Sequence, residues 1–401
     1  MTGIVDRAEE RKTLLEVEHL NVSFRTMNGV VHAVRDVSFH LDQGETLAVV
    51  GESGCGKTVM IKSLLRLHDK TNAQIAPGSR ILFEGRDIGE MNKKELMELR
   101  GNEIAMIFQD SQTSLNPTTQ VGKQIEEALL IHKKLPKEAC RKRVLELLKM
   151  VEMPDAEARM KAYPHQLSGG MRQRAMIAMA LACEPKVLLA DEPTTALDVT
   201  IQAQLMDLLV DLKKKLNMSI ILVTHDLSVV RDFADRIQVV YAGQIVERGT
   251  TKEIMESPKH PYTMALLQAM PDSYMQTKSR LQTIGGTPPD LRLPLECCPF
   301  AARCRYCMNI CKRKKPELTD ISQTQSARCF LLDERAPRMK ELEAMAGNTK
   351  DSANDRKKDN AHGKIKDNAK NNAKENAGES AGQKAPGTEN PQKNDIDWEK
   401  R

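Results

Sequence analysis

The sequence predicts an α/β protein with a largely parallel core sheet, an N-terminal antiparallel β subdomain, a helical insert and a small cysteine-rich C-terminal extension. Three observations carry this. Strand-sized apolar runs recur with helical segments between them from Thr46 onward. Two β-like runs separated by Asn28-Gly29 open the chain. Between Val121 and about Met160 apolar residues return every three or four positions, the period of an amphipathic helix.

The elements follow in order. LLEVEHLNVSF and VHAVRDVSFHL read as two strands with the Asn-Gly pair as their turn. TLAVVGESGCGKTVMIKSLLRL reads as strand, glycine-rich loop and helix, and RILFEGRDI and EIAMIFQD as two further strands. VGKQIEEALLIHKKL and CRKRVLELLKMVEM are helical. A second α/β stretch then runs through a helix after LSGG, strand KVLLAD, helix IQAQLMDLLVDLKKKL, strand SIILVTHD, helix LSVVRDFA and strand RIQVVYAG. Beyond Glu256 the proline-marked SPKHPYTMALLQAM leads to a run of cysteines. From about Met345 to Arg401 the chain is mainly Lys, Asn, Ala, Asp, Glu and Gly, with Trp398 its single aromatic residue. Such a segment buries too little to offset its ordering entropy and is expected to be disordered.

The chain of 401 residues is long enough for two domains and a tail. Its apolar share of 40% and charged share of 29% are those of a soluble globular protein. The first thirty residues carry acids and no apolar core run, so no signal peptide is expected. The longest apolar runs, KVLLA and SIILVT, are strand-sized and too short to span a membrane. A net charge of +5, with lysines mixed among acids, lacks the concentrated stripe of a nucleic-acid binder. The compartment expected is cytosolic, where stable disulfides are unusual.

GESGCGKT, Gly51 to Thr58, matches G-x-x-x-x-G-K-T and lies between an expected strand and helix, the context that motif needs. Gly51, Glu52, Ser53, Gly54, Cys55 and Gly56 would wrap phosphates with backbone N–H groups, at the positive end of the following helix. Lys57 would reach the terminal phosphates and Thr58 would hold Mg²⁺. In VLLADEPT, an apolar strand delivers Asp191, suited to Mg²⁺ through water, and Glu192, suited to polarising an attacking water.

With these two elements the chain resembles the nucleotide-binding subunit of an ATP-binding cassette transporter, over about Leu14 to Met255. LSGGMRQR from Leu167 to Arg174 resembles the signature motif, and FQD with Gln109 the Q-loop. Thr195-Ala196-Leu197-Asp198 resembles the D-loop, and His225 the switch histidine. The resemblance implies a P-loop ABC-type ATPase in which two cassettes sandwich two ATP molecules. Lys57, Thr58, Gln109, Asp191, Glu192 and His225 would face one ATP, with Gln109 also at Mg²⁺. Ser168, Gly169, Gly170 and Asp198 would serve the partner subunit's nucleotide. Phe24 is the candidate for stacking on adenine, with His32 as an alternative and Phe39 assigned to the core.

IFQDSQTSLNPTTQVGKQI, PKHPYTMALLQAMP and IGGTPPD resemble the dipeptide, oligopeptide and nickel import branch, which extends the likeness to about Leu332. The expected organisation is an ATPase domain at residues 14–255, with its helical insert at about 121–175. An importer extension follows at 256–335 and the tail at 345–401. The implied partners are a homologous ATPase subunit, two membrane permease subunits and an external solute-binding protein, on the cytoplasmic face of the cell membrane. Peptides are the expected cargo, with nickel or another small solute as the alternative. A soluble ABC ATPase of translation or DNA repair is the contrasting class; the single phosphate loop, single LSGG and lack of a coiled-coil insertion speak against it.

Six of the nine cysteines fall between Cys297 and Cys329. Clustered thiols in a reducing compartment suit a soft metal, but the spacing matches neither paired zinc knuckles nor the bacterial ferredoxin run, and leaves zinc and iron–sulfur open. The importer resemblance implies a structural [4Fe-4S] cluster on Cys298, Cys304, Cys311 and Cys329, with Cys297 and Cys307 extra. Cys183 reads as a small buried residue.

Overall fold

The computed structural model describes residues 12–69, 71–195, 197–270 and 284–339. They fall into two compact units: the described residues up to Leu295 together with Glu317–Cys329, and Glu296–Pro316 together with residues 330–339. The expected low-complexity tail lies outside the described residues.

The first unit opens with a long hairpin of β1 (Thr13–Thr26) and β2 (Gly29–Asp42), with a tight turn at Met27-Asn28. Its register shifts at several points, where His19 and Asp36 take positive φ; such bulges twist a ribbon and let it wrap. β3 (Thr46–Val50) runs into the glycine loop and α1 (Lys57–Leu64). β4 (Ala73–Ile75), β5 (Arg80–Phe83) and β6 (Arg86–Asp87) complete a small antiparallel sheet in the order β2-β1-β5-β6, with β4 also on β1. α2 (Lys93–Leu99) starts at a capping box in which Asn92 accepts from the amides of Lys94 and Glu95 while Glu95 accepts from that of Asn92.

β7 (Ile104–Ile107) takes only the first half of the EIAMIFQD run, which frees Gln109 for the loop beyond it. The short α3 (Ser111–Ser114) leads to the helical insert of α4 (Val121–His132), α5 (Lys137–Met150) and α6 (Ala156–Met160). α7 (Gly169–Ala180), β8 (Val187–Asp191), α8 (Val199–Leu216), β9 (Ser219–Thr224), α9 (Leu227–Arg231) and β10 (Arg236–Tyr241) then follow the order read from the sequence. β11 (Gln244–Thr250) turns back antiparallel on β10. It escapes the period-2 reading because buried Gln244 and Glu247 replace apolar residues. α10 (Thr251–Glu256) and α11 (Pro261–Gln268) follow.

α12 (Asn309–Arg313) belongs to the second unit, whose small apolar cluster contains Ala301, Cys307, Met308, Ile310 and Cys311. The last two strands return to the first unit: β12 (Thr319–Asp320) and β13 (Ser326–Ala327) extend its core sheet. That sheet is ordered β12-β13-β11-β10-β3-β9-β8-β7, and its centre, from β10 to β7, is parallel. The inner strands β3, β9, β8 and β7 are mostly apolar and mostly buried, as strands covered on both faces are. On β8, Leu188 and Ala190 join the core beneath the helical insert, while Val187 and Leu189 join the core shared with the small sheet. β9 divides the same way, Ile220 and Leu222 against Ile221 and Val223. The period of two therefore assigns β8 and β9 to both cores.

Residues 317–329, grouped with the extension in the sequence reading, are held to the first unit by hydrogen bonds as well as by strand pairing. The Glu253 carboxylate accepts from the Thr250 amide and from the Ser322 and Thr324 hydroxyls, each at 2.8 Å. Burial alone would raise the Glu253 carboxyl, but these bonds outweigh it and bring it from 4.5 down to about 2. A lowered carboxyl adds stability that is present above its unfolded pKa and is lost as pH falls through its folded one. Acidification from about pH 4.5 to about 2 is therefore expected to lower hydrogen-exchange protection of residues 322–325 in the wild-type chain. Glu253→Gln should flatten that dependence, and identical protection profiles for the two proteins across this window would refute the assignment.

Candidate functional site

β3 ends at Val50 and the chain closes at once into the glycine loop. Two of its glycines answer close approach. A Cβ on Gly51 would lie 2.2 Å from the Val240 carbonyl oxygen, and one on Gly56, where φ is +103°, would lie 2.2 Å from that of Ala33. No larger residue fits either position without moving backbone. Lys57 is buried and folds across the loop, donating from Nζ to the carbonyls of Gly51 at 2.7 Å and Glu52 at 3.0 Å. Cys55 is buried in the loop, and burial pushes its thiol up, so it stays protonated.

β8 delivers the acidic pair. Asp191 is buried and accepts from Thr58 Oγ1 at 2.9 Å. Burial pushes its carboxyl up, against the Thr58 hydrogen bond and the charges of Lys62 and Lys57. A carboxylate held this way, beside a hydroxyl at the start of a helix, suits a hard cation that restores its charge. Glu192 turns out of the strand in the left-handed region, with φ 46°, its amide donating to Val223 at 2.9 Å. Its side chain is the meeting point of the site. It accepts from Gln109 Nε2 at 3.1 Å and Thr195 Oγ1 at 2.9 Å, with His225 Nδ1 at 3.4 Å and Lys57 Nζ at 4.0 Å. The His225 ring is largely exposed beyond the end of β9.

Lys57, Thr58, Gln109, Asp191, Glu192 and His225 are thus brought together. The signature residues are not among them. Ser168 caps α7 by accepting the Met171 amide at 3.3 Å, so the free N–H groups of Gly169 and Gly170 open that helix. Asp198 likewise caps α8 through the Ile201 amide at 2.9 Å. Gly169 and Gly170 approach Leu197 and Ile201. Among the described residues no hydrogen bond or ion pair links Ser168–Gly170 to Lys57, Asp191 or Glu192. Val199, at the start of α8, is 84% exposed, an apolar side chain bare to solvent beside the signature. Ala196 of the D-loop lies outside the described residues.

Phe24 is half-buried against the core, its ring edge-on to His68 at 5.4 Å, and Phe39 is buried as expected. His32 is exposed, and its amide donates to Leu291 at 3.0 Å. One loop contact was not legible from the motifs: the Glu52 amide donates to the hydroxyl of Tyr262 at 2.8 Å. The signal for it was the HPYT stretch, which reads as a family marker without a role.

All nine cysteines are free thiols. Cys140 and Cys183 are buried among apolar residues. Cys298, Cys304, Cys307 and Cys311 gather in the apolar cluster of the second unit, and the Cys298 amide donates to the Cys311 carbonyl at 3.0 Å. Burial pushes the Cys298 thiol up to about 11, and a hydrogen bond with Cys307, with burial, pushes Cys311 up as well. Cys329, the fourth expected ligand, belongs to the first unit. Among the described residues no group of three or more His, Cys, Asp or Glu side chains is arranged to hold a metal ion. Within the second unit, the raised Cys298 and Cys311 thiols sit in a small apolar core.

A phosphate loop and an acidic strand end on one parallel sheet, flanked by an antiparallel β subdomain and a helical insert, define an ATP-binding cassette. Residues 34–195 match the ABC transporter family model, and residues 246–311 the oligopeptide/dipeptide transporter C-terminal region. The oligopeptide transport ATP-binding protein OppD of Bacillus subtilis (strain 168) is 51% identical over 341 residues, 85% of this chain and 95% of that protein. The dipeptide transport ATP-binding protein DppD of Lactococcus lactis subsp. cremoris (strain MG1363) is 51% identical over 333 residues, 83% and 94% of the two chains. Among solved structures, the dimeric post-hydrolysis cassette MJ0796 bound to ADP and Pi aligns with TM-score 0.54 and 28% identity, covering 59% of this chain and 99% of that one. The chain belongs to the family of ATP-binding subunits of oligopeptide/dipeptide ABC transporters, ATPases whose hydrolysis is coupled to transport. No helix among the described residues is long and apolar enough to cross a membrane.

Proposed function

We propose that this chain hydrolyses ATP to energise peptide import, from the cytoplasmic face of the cell membrane. The convergence of Lys57, Gln109, Thr195 and His225 on the Glu192 carboxylate carries the reading. A carboxylate surrounded by donors, at a strand end beside a phosphate loop, is placed to orient a water for attack. The loop amides from Gly51 to Thr58 would take the phosphates, and Lys57 would leave its two carbonyls for the β- and γ-oxygens. Thr58, Gln109 and Asp191 are the residues that would hold Mg²⁺, which would neutralise phosphate charge when bound. His225 would meet the γ-phosphate.

Ser168, Gly169, Gly170 and Asp198 serve a second cassette in this reading. Their separation from Lys57 and Glu192, with Val199 exposed beside them, supports a site completed by a partner. That partner is a homologous, distinct ATPase subunit; two permease subunits and an external solute-binding protein complete the importer. Residues 14–255 form the ATPase domain, with the insert at about 121–175 receiving the permease, and residues 256–335 the importer extension. The peptide relatives favour this branch over nickel import and over a soluble ABC ATPase. Phe24 remains the proposed adenine platform. The [4Fe-4S] cluster on Cys298, Cys304, Cys311 and Cys329 rests on the family resemblance; the gathering of three of the four thiols supports it, and no step of hydrolysis passes through it.

Three measurements test these readings. Glu192→Gln is expected to lower ATP turnover of the assembled transporter by at least a hundredfold while ATP still binds; wild-type turnover would overturn the role of Glu192. Phe24→Ala should weaken ATP binding several-fold, whereas an unchanged affinity beside a weakened His32→Ala would move the platform to His32. Protein purified without oxygen should contain four iron and four sulfide per chain, and stoichiometric zinc without iron, or no metal at all, would dismiss the cluster.

A further inference from the structure

The extension's HPYT stretch reaches into the ATP site by a route that the hydrolysis chemistry does not use. Tyr262 is fully buried, and its hydroxyl accepts the Glu52 amide at 2.8 Å. The same Glu52 residue presents its carbonyl to Lys57 Nζ at 3.0 Å and to the Cys55 amide at 3.4 Å. Glu52 is therefore gripped by the extension at its amide and by the phosphate loop at its carbonyl.

Behind Tyr262 lies a buried polar chain that leaves it little freedom. Its amide donates to His260 Nδ1 at 3.0 Å, which assigns the ring proton to Nε2 in the neutral form. Burial lowers that imidazole to about 3, so it stays neutral across the working range. The amides of Lys259 and His260 donate to the carboxylate of Glu247 on β11, at 2.7 and 2.9 Å, and Gln325 Nε2 joins it at 3.1 Å. Glu247 is fully buried, so this carboxylate is bound by protein donors instead of water. The Tyr262 ring packs on Tyr241, the last residue of β10, at 4.6 Å between centroids. A buried hydrogen-bonded network of this kind resists displacement, because a displaced donor would be left without a partner.

We propose that Tyr262 is a positioning residue for nucleotide binding: it fixes the first turn of the phosphate loop through the Glu52 amide, so that the loop keeps its shape when Lys57 leaves the Gly51 and Glu52 carbonyls for phosphate. The proposal rests on Gly51–Thr58 being the ATP site. Its physical content is preorganisation: without the tyrosine hydroxyl, the Glu52 peptide would have to be ordered by ATP itself, at the expense of affinity.

The test uses the full-length chain and its assembled transporter. Tyr262→Phe removes one oxygen and keeps the ring. Its KM for ATP is expected to rise about five-fold, the factor a single neutral hydrogen bond is worth, while kcat at saturating ATP stays within about two-fold. A merely structural role would lower melting temperature and active fraction, hence kcat, and leave KM in place; that outcome, or an unchanged KM, overturns the proposal. Tyr241→Phe, which trims the packing neighbour, should leave KM unchanged, and an equal rise there would also overturn it. Lys57→Ala in the same assay separates the two ideas: if it leaves ATP binding intact, the ATP-site reading itself fails. Should Tyr262→Phe not fold, hydrogen exchange of the wild-type, nucleotide-free chain decides. The Glu52 amide should exchange much more slowly than the Ser53 and Gly54 amides, and equally fast exchange sinks the idea.

Discussion

Parallel pairing of four neighbouring strands is the constraint on which the site depends. β3, β9, β8 and β7 lie side by side and point the same way, so their C-terminal ends share one edge. The phosphate loop follows β3, His225 follows β9, Asp191 ends β8 with Glu192 just beyond it, and Gln109 follows β7. Residues 57, 109, 192 and 225 are far apart in sequence and converge only because the ladder registers them. Ligands of open α/β sheets bind outside the carboxyl ends of the strands for this reason.

That constraint explains which parts were legible in the sequence. The inner strands announce themselves as apolar runs, β8 and β9 because each serves two cores, and the loops after them carry their chemistry in contiguous letters such as GESGCGKT and ADEP. β11 hid because its buried positions are partly polar: Glu247 and Gln244 look like surface residues although both are buried. β12 and β13, two residues each, are too short to show any period. The bond between Tyr262 and Glu52 joins residues 210 positions apart, and no local pattern encodes it. In the cysteine region the clustering suggested a metal, but closeness in sequence cannot say which thiols fold into one unit, and Cys329 falls in the other.

Charge is handled differently at the two ends of the core sheet. At the edge formed by the C-terminal strand ends, the charged Lys57 and Asp191 are buried and Glu192 is mostly covered, an arrangement suited to an anion and a cation arriving together. At the opposite edge Glu45 pairs with the Arg236 guanidinium and also accepts the Asp42 amide, while Asp235 accepts the Thr46 amide. Those groups are satisfied by the fold itself. The contrast separates residues that stabilise the sheet from residues kept available for chemistry.

The return of residues 317–329 has a consequence for solubility. β11 would otherwise be the outer strand of the core sheet, seven residues long and almost wholly buried. Unprotected, such an edge is a template for pairing with another chain. β13 occupies it at Glu247 and Arg248, and Arg328 covers the neighbouring carbonyls of Ile245 and Val246 by donating from Nε and its amide. A chain ended before Glu317 would keep every ATP-site residue and still present a sticky margin, so this short return segment acts as a guard against self-association.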